Sequence, residues 1–378
     1  MTMNIEMNIE KTGFRFSYEP RTILSVDDQW HCWSREPVLR PMPDGSLVCW
    51  VLSGGTSEGD KSNLALITRS LDRGETWTPL EVLFSHEGRA MVNTEIFTEG
   101  KVPFGFVETF DGVSQFLEIR TAITYTYDNG VTWTEPVAPR GIPANMNVRQ
   151  GIVLSDGTWV FPVYWEECRE GWSWGPSAKP DVIRQVYLTR PDRVLELTRL
   201  DHQAWPFCCG CIRSVDEGNT FSLHGYVASD GISLWEPNIV ETTRGLLMLI
   251  RAQGTGVLYR SMSQDGGLTW SEAQPTDIPN PGTKSTLLKQ GERVLLLHNP
   301  TDCEAGRKRI ELWVSDDQGE TWPTRLPLVE AMAPTKEYGR RRICYPHAFL
   351  ADEEELLYVA VDAKTHHFLL KIPYNDFS

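Results

Sequence analysis

Arg35, Asn93, Glu95, Arg149, Glu236, Lys284 and Tyr345 share a place in this 378-residue chain: each falls in the first of a set of short strand-like segments that recurs along the sequence. Arg251 and Arg309 fall on the strands beside them. When such first segments converge on one axis, several arginines meet inside the molecule. Burying a guanidinium unpaired is costly, so a group of them implies a bound anion. The elements that bring them together follow from a repeat.

Ser263-Gln-Asp-Gly-Gly-Leu-Thr-Trp270 returns as Ser70-Leu-Asp-Arg-Gly-Glu-Thr-Trp77, Thr126-Tyr-Asp-Asn-Gly-Val-Thr-Trp133 and Ser315-Asp-Asp-Gln-Gly-Glu-Thr-Trp322, with a weaker copy at Ser214-Val-Asp-Glu-Gly-Asn-Thr-Phe221. The phrase encodes a turn. Its Asp accepts backbone N–H groups ahead of it, its Gly takes a positive φ, and its aromatic folds back under the hairpin. One Asp and one hydroxyl are too few oxygens for a calcium loop.

Before each copy come a first strand, a Gly-containing turn, an apolar strand and a third strand that runs into the phrase. The first set is Arg35–Arg40, Ser46–Leu52 and Leu64–Arg69. The copies start at 70, 126, 214, 263 and 315, so the intervals are 56, 88, 49 and 52. The long interval marks an insertion in the third unit, placed around residues 166–206. A sixth set without the phrase runs through Cys344–Phe349, Leu356–Val361 and His367–Ile372, and Thr22–Val26 can supply its missing strand. The expected fold is therefore all-β, a single-domain six-bladed β-propeller of four-stranded antiparallel blades over residues 1–378, closed by strands from the two ends of the chain.

Composition agrees with a turn-rich globular protein: 40% hydrophobic residues, mean hydropathy −0.32, 30 Gly, 24 Pro and 14 Trp. The net charge of −15 argues against a nucleic-acid partner, whose binding rests on Lys and Arg neutralising phosphates. The N-terminal segment has neither a basic nor an apolar stretch and no run approaches a membrane helix, so a cytoplasmic protein with no membrane partner is expected. Eight cysteines show no disulfide framework. Cys208, Cys209 and Cys211 near His202 lack the paired halves of a zinc site, so neither a metal nor a cofactor is expected.

These repeats, six blades and charged positions resemble the sialidase (neuraminidase) superfamily over nearly the whole chain. The resemblance implies three arginines clamping a sugar carboxylate, a Tyr nucleophile activated by Glu, and an acidic general acid. Ser34-Arg-Glu-Pro37 is similar to the family's Arg-Ile-Pro motif and offers Arg35, with Glu36 where the family has an apolar residue. Glu236-Pro-Asn-Ile-Val-Glu241 with Leu249-Ile-Arg251 resembles the blade that holds the glutamate and the second arginine. Asn299-Pro-Thr301 with Arg309-Ile-Glu-Leu312 resembles the third-arginine segment, Arg307 being the competing choice. Cys344-Tyr-Pro-His347 resembles the nucleophile strand, which gives Tyr345. Asp60 best matches the acid, with Glu58 as rival, and Arg149 and Glu95 complete the expected binding set.

The chemistry fits those residue types. A sugar carboxylate suits the planar fork of Arg. Oxocarbenium character beside that carboxylate would repel an anionic nucleophile, whereas a neutral phenol deprotonated by Glu236 as it attacks avoids the repulsion; sialidases are the Tyr-nucleophile case among retaining glycosidases. The expected partner is a carbohydrate bearing a carboxylate, most simply a terminal sialic acid. Two other readings use the same propeller: a uronate lyase or hydrolase, with Arg35 or Arg149 at the carboxylate and His31, Tyr164 or His347 as base, and a non-catalytic binder of glycan or protein.

Overall fold

The computed structural model describes residues 13–26, 33–55, 58–110, 119–143, 145–166, 173–175, 185–190, 193–198, 207–301, 306–332 and 342–377. Six small antiparallel sheets form a ring, a six-bladed β-propeller. Blade 1 runs Ser34–Pro41, Leu47–Ser53, Leu64–Ser70 and Glu81–Phe84 from the axis outward. Blade 4 repeats the pattern with Leu234–Thr242, Gly245–Ala252, Val257–Ser263 and Gln274–Pro279. Blade 2 has three strands, Ala90–Phe97, Phe104–Phe110 and Arg120–Tyr125, and the place of a fourth is taken by a single bridge from Val137 to Ile123.

The N-terminal segment closes the ring twice. Arg21–Ser25 pairs with His366–Pro373 as the outer strand of blade 6, which is the expected closure. Phe14–Phe16 adds an unexpected fifth strand to blade 5, with Phe14 opposite Ala331. The insertion in blade 3 holds a separate three-stranded sheet, Ser173–Gly175, Gln185–Arg190 and Arg193–Thr198. Trp172, His202, Cys32, Cys168 and Cys303 lie outside the described residues, and His31 does too.

The hydrophobic core is divided into wedges, one between each pair of neighbouring blades. Leu39, Cys49 and Val51 of blade 1 meet Ile23, Tyr358 and Leu369 of blade 6. Val38, Val48 and Trp50 meet Ile96 and Val107 across the next interface. Strands with a neighbouring blade on each face are buried throughout, as Leu47–Ser53, Ala90–Phe97 and Phe104–Phe110 are. That is why their sequences read as apolar runs instead of alternating.

Each eight-residue phrase makes the same hydrogen bonds. In the first, the Ser70 hydroxyl donates to Asp72 at 2.8 Å and accepts from Gly74 N–H at 2.7 Å, while Asp72 accepts Thr76 N–H at 2.8 Å and the Thr76 hydroxyl at 2.6 Å. The set recurs at Asp128, Asp216, Asp265 and Asp317. Those donors hold the Asp72 carboxylate down at about 2, the Thr76 hydroxyl most of all. The turn's glycine lies against the preceding blade: a Cβ on Gly319 would stand 2.5 Å from Leu247 of blade 4, at φ +89°. Three cysteines of blade 3 lie on one strand, Phe207–Ser214; Cys209 and Cys211 pack in the wedge against blade 4, and burial pushes the Cys211 thiol up to about 12.

Gly319→Ala combines backbone strain with overpacking and is expected to lose about 3 kcal/mol or more. Gly88→Ala, at φ +80° with nothing within 4 Å, carries the strain alone, and about 1–2 kcal/mol is expected. Urea unfolding of both variants measures the difference; equal losses would show that the phrase does not dock on the neighbouring blade.

Candidate active site

The inner strands approach the axis with their registers broken. The ladder shifts between Arg35 and Val38 in blade 1, between Asn93 and Glu95 in blade 2, between Trp235 and Asn238 in blade 4 and between Cys344 and His347 in blade 6. In three of these bulges one residue takes a left-handed backbone and a proline follows: Glu36 at φ 51° before Pro37, Glu236 at 47° before Pro237, and Tyr345 at 50° before Pro346. A side-chain-bearing residue at positive φ costs roughly 1–3 kcal/mol and persists only where its surroundings over-determine it. Proline has no N–H to give the ladder, so it suits the break. All three strained residues line one cavity.

That cavity, of about 170 Å³, is lined by Arg35, Glu36, Glu58, Val92, Glu108, Asn147, Arg149, Tyr164, Trp235, Glu236, Arg251, Arg307 and Tyr345. Its centre is an ion-pair chain. Arg149 donates to Glu36 at 2.8 Å and to Glu236 at 3.1 Å, and Arg251 donates to the other oxygen of Glu236 at 2.8 Å. Each carboxylate oxygen has two acceptor sites, so Glu236 keeps capacity for a further proton donor. Burial would raise the Glu36 carboxyl, but Arg149 and Lys284 overcome it and hold it at about 2.

Tyr345 is 4% exposed. Burial, with Glu236 alongside, pushes its phenol above the ordinary value, so it is a neutral phenol beside the Glu236 carboxyl group. Arg307 stands over its ring at 5.0 Å from the centroid and donates to the Gly282 carbonyl at 2.8 Å. Glu58 faces Arg35 at 3.5 Å with its side chain 22% exposed. Burial raises the Glu58 carboxyl and Arg35 opposes this only in part. Four guanidiniums, Arg35, Arg149, Arg251 and Arg307, thus line the cavity with the carboxyl groups of Glu36, Glu58 and Glu236.

Of the residues expected from sequence, Arg35, Arg149, Glu236, Arg251 and Tyr345 line this cavity. Three others do not. Arg309 opens the third strand of blade 5, its side chain 40% exposed and paired with Glu311 at 2.9 Å, and it is Arg307, in the preceding loop, that lines the cavity. Asp60 accepts Ser62 N–H at 2.9 Å within its own loop, and Glu58 is the carboxyl of that loop in the cavity wall. Glu95 pairs with Arg40 at 2.7 Å and lies near His347 at 3.5 Å, away from the lining. His347 accepts Leu39 N–H at 3.2 Å, and burial with Arg40 beside it lowers its ring to about 3. Sequence reasoning missed Glu108, Asn147 and Trp235. The signal for Glu108 was present: a lone acid in the middle of Phe104-Gly-Phe-Val-Glu-Thr-Phe110.

Comparison with known proteins fits this geometry. The family model of the BNR repeat-like domain matches residues 45–359. The chain belongs to that family. It is a BNR-repeat propeller of the sialidase superfamily. The sialidase of Micromonospora viridifaciens is 24% identical over 307 residues, 76% of this chain and 45% of the relative, so the chain spans less than half of that protein. Among solved structures, the Hadza microbial sialidase Hz136 superposes with a TM-score of 0.67 at 17% identity, covering 94% of this chain and 69% of that one. A protein of unknown function from Dyadobacter fermentans superposes at 0.65 and 17% identity over 96% of this chain and all of that one. Within the superfamily, Glu36 has an internal explanation: it neutralises Arg149.

Removing Glu36 leaves Arg149 with Glu236 alone as its carboxylate partner. Glu36→Leu is expected to lose about 3 kcal/mol, the lower end for a broken buried pair, and Glu36→Leu combined with Arg149→Met is expected to lose clearly less than the sum of those two single changes. A double-mutant cycle in denaturant reads the coupling, and additive losses would mean that the pair has no role in holding the blades.

Proposed function

We propose that this protein is a retaining exo-glycosidase that releases a terminal carboxylate-bearing sugar, a sialic acid being the best match. The observation that carries the reading is the meeting of Tyr345, Glu236 and the arginines 35, 251 and 307 in one cavity. The likeness to sialidases at low identity supports the same class of chemistry.

In this reading the sugar carboxylate seats against the three arginines. Glu236 takes the Tyr345 proton as the phenolic oxygen attacks the anomeric carbon, and Glu58 gives its proton to the leaving oxygen. The result is an aryl glycoside on Tyr345. Water then attacks the same carbon, Glu58 takes its proton, and the phenol leaves with the proton held by Glu236. Two displacements at one centre retain configuration. Glu58 replaces Asp60 as acid because it lines the cavity and its environment favours the protonated form.

Tyr345→Phe is expected to lower turnover of a fluorogenic sialoside by ~10²-fold or more, a loss typical of removing a group that takes part in the reaction itself. Unchanged turnover in that variant would rule out the nucleophile. Glu58→Gln separates the acid from the rest. It should cost ~10²- to 10⁴-fold on a natural glycoside, where the leaving group needs a proton, and only a few fold on an aryl glycoside, where it does not. An equal loss on both substrates would assign Glu58 to binding alone.

A further inference from the structure

Lys284 is a buried basic group that the proposed chemistry leaves unused. It is 4% exposed, lies in the blade 5 segment that leads into Thr286–Gln290, and stands outside the cavity lining. Taking an ammonium out of water is costly unless neighbouring groups repay it. Groups from all five other blades face this one. Burial lowers the Lys284 ammonium from its ordinary value; Glu36, Glu236 and Glu95 oppose the shift and Arg149 adds to it. The fifth neighbour is Tyr345, whose ring centroid is 5.6 Å from the Lys284 Nζ.

The segment that carries Lys284 is fixed to both the base and the nucleophile. The Thr286 hydroxyl donates to the Pro346 carbonyl at 2.7 Å, next to Tyr345. The Ser285 carbonyl accepts the Asn238 amide at 2.8 Å, two residues beyond Glu236. Asn280 holds the segment from its other end, its side-chain oxygen accepting Thr283 N–H at 2.9 Å and its amide donating to the Thr283 carbonyl at 3.0 Å. Lys284 is thus tied, through the two residues that follow it, to the two strained bulges whose side chains must react together.

A cation over an aromatic ring is attracted to its π electrons, and more so when water is excluded. The attraction grows as a phenol becomes a phenolate, because the charge spreads into the ring. In the second displacement the bond from the Tyr345 oxygen to the anomeric carbon breaks, the electron pair stays on that oxygen, and the proton held by Glu236 then neutralises it. Arg307, 5.0 Å from the same centroid, is shared with the sugar carboxylate in the reading above, whereas Lys284 stands outside the cavity and stays with the ring throughout.

We infer that Lys284 is a positioning residue for the nucleophile: its ammonium, held against the Tyr345 ring by residues 283–286, stabilises the phenolate charge that develops as the bond from Tyr345 to the sugar forms and breaks. This deepens, and rests on, the glycosidase reading above.

The test measures turnover of a fluorogenic sialoside in the wild type and in Lys284→Met, Lys284→Gln and Lys284→Arg, each also made with 3-fluorotyrosine at position 345, which makes the phenol more acidic. Mass spectrometry after treatment with a difluorinated sialic acid reads the covalent adduct on Tyr345. The two neutral variants are expected to lose ~10-fold or more in kcat with KM within a few fold, and Lys284→Arg, which keeps the charge, to lose much less. Fluorotyrosine should recover most of the loss in the neutral variants and change the wild type little. A loss caused by packing alone would not respond to the acidity of the phenol. Urea unfolding checks each fold, and Lys284→Gln supplies a polar neutral side chain alongside the apolar one. Neutral variants with wild-type turnover, or with a loss that fluorotyrosine leaves unchanged, would overturn the role of Lys284, and a Tyr345 adduct in the wild type would leave the glycosidase reading standing. A wild type with neither turnover nor an adduct would overturn both.

Discussion

The contact on which the site depends is Arg149 bridging Glu36 and Glu236. It joins three blades across the axis, because Glu36 is on blade 1, Arg149 on blade 3 and Glu236 on blade 4. Charges there are 3–5% exposed, and an uncompensated one would cost several kcal/mol. Each residue is therefore held in place by the need to neutralise the next. Arg251 extends the chain to the other oxygen of Glu236, and Arg35 and Arg307 line the same cavity.

Backbone strain sets where those charges stand. Glu36, Glu236 and Tyr345 each take a left-handed conformation before a proline, in three different blades. The wedges on both sides of each blade supply the packing that keeps such bulges from relaxing. Repetition of one device explains how a scaffold of similar blades brings unlike groups, two carboxyl groups and a phenol, into one cavity.

The blades were legible in the sequence because their marker is local. The Asp and its hydroxyl and amide donors lie within seven residues of one another, so the turn at Asp265 is written in Ser263 to Thr269 without reference to the rest of the chain. Residues in the inner strands were legible to the extent that the blade gave their address, as with Arg35, Glu236 and Tyr345. Arg307 and Glu58 were not resolved from Arg309 and Asp60, since loops have no period to say which side chain turns inward. Glu95 was misplaced for a related reason: its strand has a register break next to it, and an irregularity of one residue changes the face that a side chain presents. Phe14–Phe16 was missed because three residues with no turn signal leave no pattern to read.

The double closure of the ring bears on how the chain is made. Ser25 and His366, which meet in blade 6, are 341 residues apart in sequence. Blades 1 to 5 can form from local hairpins as they emerge, but blade 6 lacks its outer strand, and blade 5 its fifth, until the early segment finds strands more than 300 residues further along the chain. Such long-range pairing is slow, because the entropy of closing the loop is lost before the contacts form. Until then the nascent propeller carries open sheet edges, the surface most prone to pairing with a second chain. Closure within one chain is independent of concentration, whereas the competing edge-to-edge pairing of two chains grows with it.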